Sequence, residues 1–236
     1  MIGTCIRRGL AAGAVAGLLA GLVGLVIGEP PIEQAVAIEE AAAGSEAVAS
    51  SGPEVTRTQQ RLGLPVGTIL VGLGVGAVFG VAAAWSVGRL AGDAWQRSLK
   101  LGGVLVGALV LLPALKYPAN PPAVGDPETV GTRTALYLGL GALGLVFAAL
   151  GWLAARHLAG VGVRPAVRQS TVGAGLLAAV GIVLWVLPSI PAEGEVPAEL
   201  LWTFRLRAMA VQATLYGVTA VGFGLLASRE EQRRSR

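Results

Sequence analysis

Charge is what this sequence has least of. Only 14% of its 236 residues are Asp, Glu, Lys or Arg, against about a quarter in an ordinary soluble domain. The deficit is concentrated in long runs that hold no charge at all. Soft metal ligands are equally scarce, since Cys5 is the sole cysteine and His157 the sole histidine. An intrachain disulfide is therefore excluded, and so is a Cys/His metal cluster. No G-x-x-x-x-G-K-[ST] phosphate loop is present, so any active transport draws its energy from elsewhere. A net charge of +4 with a pI near 9.8 does not indicate nucleic acid. The basic residues sit at the ends of apolar runs, where membrane topology accounts for them.

What the chain does have is six apolar runs, near Gly9–Ile27, Leu64–Gly88, Leu101–Leu115, Ala135–Ala155, Thr171–Leu187 and Met209–Ala227. A bilayer core needs about 20 residues of helix, with a working range of about 17–25. The third run is short, and it becomes adequate if the helix starts near Trp95 and Lys100 snorkels to the interface. Lipid offers the backbone no hydrogen bonds, so such runs must be helical. The expectation is an all-α, polytopic transmembrane bundle of about six helices in one integral membrane domain. Its spans lie near 9–27, 64–88, 99–115, 135–155, 171–187 and 208–227, and its outer loops at 28–63, 116–134 and 188–207. The first run follows Arg7 and Arg8 as a signal peptide would, but it is long for one and Gly28-Glu29-Pro30-Pro31 follows it, so retention as a membrane helix is expected.

Orientation follows from the basic residues. With both termini cytoplasmic, the inner segments hold Arg7, Arg8, Arg89, Arg97, Lys100, Arg156, Arg164, Arg168 and the arginines of the C-terminal tail, whereas the outer loops hold most of the acids. Lys and Arg near span ends favour the inner side, which predicts a multi-pass protein of the plasma membrane. The five Trp residues lie near span ends, as in an interfacial aromatic belt. Glycines recur at every fourth position: Gly13, Gly17 and Gly21; Gly72, Gly76 and Gly80; Gly103 and Gly107. That spacing predicts close helix–helix contact.

The outer loops carry the chemistry. Each of three hairpins has a helix going out, a Pro-rich acidic loop and a helix returning, and the second and third loops both open on Leu-Pro, at Leu112-Pro113 and Leu187-Pro188. This suggests three repeated helical hairpins. In the second loop the prolines favour extended backbone from Tyr117 to Val124. Asp126-Pro127-Glu128 then reads as a helix start, with Asp126 capping and Glu128 complementing the helix dipole. In the first loop Glu29 and Glu33 share a face if the chain is helical there, and Ile32 to Ala43 suits an interfacial amphipathic helix. Carboxylates gathered outside a membrane concentrate cations and are hard oxygen ligands. Asp126, Glu128, Glu199, Glu29 and Glu33 are the candidate metal-binding residues, the alternative being helix caps and solvated loop acids. Glu128 with Arg133, and Glu199 with Arg205, read as ion pairs of an entry turn.

The segment KYPANPPAVGDPETVGTRT at 116–134 resembles the signature loop of the CbtA family of predicted cobalt transporter subunits. The N-terminal stretch RRGLAAGAVAGLLAGLVGLVIGEPPIEQAVAIEEA and the loop LPSIPAEGEVPAELLWTFRL agree with it, so the resemblance covers nearly the whole chain. Five spans are often assigned to that family, and six are counted here. The resemblance implies cobalt uptake tied to cobalamin supply. It also implies a small partner, CbtB, with one membrane helix and a histidine-rich end that supplies the imidazoles this chain lacks.

The functional expectation is a membrane subunit of a cobalt, or divalent cation, uptake transporter, with cobalt ion as substrate and no bound cofactor. The alternative is a non-transporting membrane scaffold. The six apolar runs hold no Asp, Glu, Lys, Arg or His to mark a path, Gln212, Thr214 and Thr219 being the main polar ones. A path through backbone carbonyls at broken helices remains open, with the Leu-Pro pairs as candidates. An enzyme is not expected, because no catalytic base faces the outer acids, and His157 beside Arg156 suits a helix C-terminus.

Overall fold

The computed structural model describes residues 2–43, 56–122, 124–190 and 196–234. The loop acids Glu46, Glu54, Glu193 and Glu195 lie outside the described residues. All regular structure among the described residues is helical. The helices are α1 Ile2–Val23, α2 Glu29–Ala43, α3 Arg57–Ser86, α4 Ala94–Val106, α5 Leu112–Lys116, α6 Val130–Gly160, α7 Pro165–Val186 and α8 Ala198–Arg234. Two π-helical segments, Gly24–Gly28 and Gly107–Leu111, interrupt the α-helical pattern between α1 and α2 and between α4 and α5. Six stretches are long and apolar enough to cross a membrane: Ile2–Ala41, Thr58–Ser86, Ala94–Lys116, Val130–Gly160, Pro165–Val186 and Ala198–Arg233.

The helices outrun the apolar runs for local reasons. α3 begins seven residues before Leu64 because Thr56 and Gln59 form a capping box: Thr56 Oγ1 accepts the Gln59 amide at 3.3 Å, and Gln59 Oε1 accepts the Thr56 amide at 2.9 Å. The first helix does not stop at Gly28-Glu29-Pro30-Pro31. Proline is tolerated in the first turn after an interruption, where an intrahelical donor is not required, and the π segment provides that interruption. The interfacial helix expected over Ile32 to Ala43 is therefore the continuation of the first helix, not a separate element.

Contacts gather into two compact units. The first comprises Met1–Val106, Ala119–Gly125 and Glu193–Arg236, and the second Gly107–Pro118 and Asp126–Ala192. The first two hairpins are packed pairs, α1 with α3 in the first unit and the segment 107–116 with α6 in the second. The arms of the third hairpin, α7 and α8, fall in different units.

In the first unit α1 and α3 meet backbone to backbone. A Cβ on Gly9, Gly13 or Gly17 would land on the carbonyl of Gly76, Gly72 or Thr68. Glycine costs a helix about 1 kcal/mol relative to alanine, and here dispersion between two closely opposed backbones offsets it. A second face of α1, made of Ala12, Ala16 and Ala20, packs on α8 around Leu215 and Ala220. The rings of Phe79 and Phe223 meet at a tilt of 57°, 5.3 Å between centroids. Gly103 and Gly107 have nothing within 4 Å of a would-be Cβ. The close contact of α4 is made one residue earlier, by Gly102 against Ala220.

In the second unit Leu112, Tyr117 and Leu140 form the core, and Gly144 admits Ala108 and Leu112. Gly162, at φ 79°, turns the chain from α6 into α7. α7 buries none of its residues, and Trp185 at its end is 85% exposed. Apolar exposure on that scale suits a chain solvated by lipid.

Candidate functional site

Polar side chains within the long apolar helices are few, and Thr214 and Thr219 of α8 bond back onto their own helix. Thr219, fully buried, donates to the Leu215 carbonyl at 2.7 Å, and Thr214 to that of Ala210 at 2.8 Å. The chemistry therefore sits at the helix breaks and helix ends.

The break in the first helix frees a carbonyl. In an uninterrupted α-helix the Ile27 oxygen accepts the amide of residue 31, which is Pro31 and has no N–H. Arg207 of α8 supplies the missing donor, its Nη1 lying 2.9 Å from the Ile27 oxygen. The second unit repeats the device. Pro113 leaves the Leu109 carbonyl without its amide, and the Tyr137 hydroxyl donates to it at 3.1 Å. Both breaks coincide with π segments, which recur at functional sites.

Around the first break lie two of the expected acids. Glu29 and Glu33 stand one turn apart on α2, and both meet Arg61 of α3, whose Nε is 3.0 Å from Glu29. Nearby along α8, Arg205 holds the signature loop: its Nη2 donates to Asn120 Oδ1 at 3.0 Å, and its Nε faces the Ala119 carbonyl at 3.4 Å. Glu199 is exposed in the first turn of α8, where its charge complements the free amides. The expected pair of Glu199 with Arg205 does not form, because the loop carbonyl and the Asn120 amide take the guanidinium.

Asp126 and Glu128 belong to the second unit. Asp126 is a cap, as its position before Pro127 suggests. Its Oδ1 accepts the Glu128 amide at 2.8 Å, and its carbonyl accepts from Thr129 and from Arg133 Nη2 at 2.9 Å. Arg133 therefore does not pair with Glu128. In the same unit Tyr117 donates to the Pro188 carbonyl at 2.8 Å and Lys116 to Ser189 at 2.9 Å. Burial pushes the Tyr117 phenol above its ordinary value.

The structure thus brings Glu29 and Glu33 together on Arg61, places Asp126 and Glu128 in one capping turn, and leaves Glu199 exposed in the first turn of α8. Among the described residues no group of three His, Cys, Asp or Glu side chains is placed to hold a metal ion. The acids can attract a cation, and Glu29 with Glu33 can offer two carboxylates once Arg61 moves, but a full coordination shell needs ligands from elsewhere. Arg207 carries no signal in the sequence beyond standing just outside an apolar run, and Arg205 reads there as a partner of Glu199 rather than of the signature loop. Pro31, four residues after Ile27, is the mark that a carbonyl there needs a donor.

No curated protein and no solved structure matches this chain. The family model described as "Probable cobalt transporter subunit (CbtA)" matches residues 2–228. With nearly its whole length covered by that model and six helices able to span a bilayer, this chain belongs to the CbtA family of probable cobalt transporter subunits.

Proposed function

We propose that this chain is the membrane-embedded subunit through which cobalt, or a divalent cation of similar chemistry, enters the cell, with both termini in the cytoplasm. The family match over residues 2–228 carries the reading. The distribution of basic residues supports the orientation. It sets the end of the first unit that holds Arg8, Arg97 and Lys100 inside, and the end that holds Glu29, Glu33 and Glu199 outside.

In this reading the five acids Asp126, Glu128, Glu199, Glu29 and Glu33 concentrate cations at the outer surface. The proline-broken helices then offer backbone oxygens where the spans have no ionisable side chain, as broken helices do in transporters. Imidazole ligands come from a small histidine-rich membrane subunit of the CbtB kind. Oxygen donors alone follow affinity trends and do not single out cobalt from nickel, so that partner is where discrimination lies. The chain moves an ion and does no covalent chemistry.

Labelled cobalt uptake by cells expressing the chain, with and without its histidine-rich partner, tests this. The expected result is uptake that needs both and that falls when the five acids are changed to alanine together. Uptake unchanged on deletion of the chain would overturn transport and leave a scaffold.

A further inference from the structure

Two arginines at the helix ends of the first unit are matched by acids of this chain. Arg8 of α1 pairs with Glu230. Arg97 stands near the start of α4, where the helix dipole favours an anion, and two acids answer it. Asp93 Oδ1 accepts the Gln96 amide at 2.8 Å, and Glu231 takes Arg97 Nη2 at 3.1 Å and the Ala94 amide at 3.2 Å. The turn between α6 and α7 in the second unit has no such acids. Arg156, Arg164 and Arg168 gather there, and the sequence holds no Asp or Glu between Glu128 and Glu193. No ion pair among the described residues involves any of the three.

α7 starts in the same register as α4. Arg168 stands four residues after Arg164 as Arg97 does after Asp93, and each amide bonds the cap carbonyl at 3.0 Å. Here, however, the cap residue is itself an arginine, which accepts no hydrogen bond. Pro165 has no amide, and those of Ala166 and Val167 have no helical partner. Two guanidinium groups thus stand at the positive end of a helix dipole, an arrangement that lowers stability unless a negative charge joins it. Membrane topology asks for Lys and Arg near span ends, but not for two of them against a helix's positive end. The third cation, Arg156, lies 5.0 Å over the Trp152 ring near the end of α6, a contact that holds it at the level of the interface. The missing counter-charge comes from outside the chain.

We propose that the α6–α7 turn binds the phosphodiester of an anionic phospholipid, with Arg156, Arg164 and Arg168 as the groups that hold it. The turn joins two stretches able to span a bilayer, Val130–Gly160 and Pro165–Val186, so it lies at the depth of the headgroups. A phosphodiester offers two non-bridging oxygens, which suit the fork of an arginine. Leu153 of α6 and Val167 of α7 are exposed beside the arginines, and α7 buries none of its residues, so acyl chains have an aliphatic wall to lie along. A soluble anion would make no use of that wall. Basic sites among membrane helices take anionic headgroups in this way, and a lipid so held braces the hairpin at the membrane surface.

The full chain, purified in a neutral detergent, gives the test, with lipid retention read by native mass spectrometry and by the melting midpoint. Phosphatidylglycerol should bind at least about tenfold more tightly than phosphatidylcholine, whose headgroup is neutral overall, since each arginine near anionic lipid is worth roughly fivefold. Arg156→Gln/Arg164→Gln/Arg168→Gln should bring phosphatidylglycerol down to the phosphatidylcholine level and abolish its rise in melting midpoint. Arg164→Gln alone, at an exposed position with no partner to lose, should fold as wild type and cost roughly fivefold. Arg7→Gln/Arg89→Gln/Arg229→Gln removes three exposed arginines of the first unit and should cost less than about twofold. Equal losses in the two triple variants would make the attraction diffuse and overturn the site, as would wild-type protein that does not prefer phosphatidylglycerol. A midpoint raised as far by inorganic phosphate would overturn the lipid in favour of a soluble anion. Binding is read in detergent, so the outcome is independent of the orientation and of the transport reading.

Discussion

Arg207 Nη1 lies 2.9 Å from the carbonyl oxygen of Ile27, the acceptor that Pro31 leaves without a helical amide. The two residues come from helices far apart in the sequence, and the bond makes an interrupted helix tolerable in an apolar setting. A fully buried carbonyl left without a donor costs about 1–3 kcal/mol, and this part-buried one falls toward the lower end. Arg207→Ala should therefore lower the detergent melting midpoint by a few degrees, at about 2–4 °C per kcal/mol for a chain of this size. Pro31→Ala restores an amide at the right position, so Arg207→Ala should cost less in that background. Equal losses in both backgrounds would show that the carbonyl is not what Arg207 serves.

The glycine faces make a sharper claim. Gly13→Ala and Gly76→Ala put a methyl group onto an opposing backbone, and overpacking of that kind costs about 1–3 kcal/mol or more. Gly103→Ala and Gly173→Ala meet nothing within 4 Å and gain helix propensity. Monodisperse yield after detergent extraction should fall severalfold for the first pair and hold for the second. Comparable yields for all four would contradict the packing of α1 on α3.

How much of this was legible in the sequence depended on distance along the chain. The six apolar helices follow from the absence of charge, and the capping role of Asp126 follows from Pro127 beside it. Gly72, Gly76 and Gly80 announce their face by spacing alone. The spacing misled at Gly103 and Gly107, because the contact is made at Gly102, and only Ala220 on another helix decides which residue that is. Continuation through Pro30 and Pro31 depends on the π segment that precedes them. The pairs Arg61–Glu29, Arg8–Glu230 and Arg205–Asn120 are tertiary: Arg61 and Arg8 look from the sequence like interfacial charges, and Arg205 looks like a local partner of Glu199.

Tyr117 gives a pH dependence. Its phenol has an ordinary value of 10.0 and is raised by burial, so the folded chain holds that proton more tightly than the unfolded one. The resulting contribution to stability is complete below the unfolded value and is lost as pH rises through the folded value. Melting midpoints from neutral pH to about 9 should show no effect of Tyr117 ionisation, with a decline above pH 10 that is smaller in Tyr117→Phe. An identical alkaline decline in both proteins would assign it to other groups.

Membrane orientation has its own readout. A green fluorescent reporter fused after Arg236 should fluoresce, and a periplasmic phosphatase at the same place should be inactive, because the twelve Lys and Arg of the inner segments outnumber the six of the outer loops. The reverse pattern would exchange the two ends of the first unit and put Glu29 and Glu33 inside.

The most direct test is cobalt influx into proteoliposomes that contain the purified chain with its histidine-rich partner subunit. The account predicts accumulation of labelled cobalt well above that in protein-free liposomes and in liposomes with the partner alone. Influx no faster than in those controls, from protein that is folded and inserted, would contradict it.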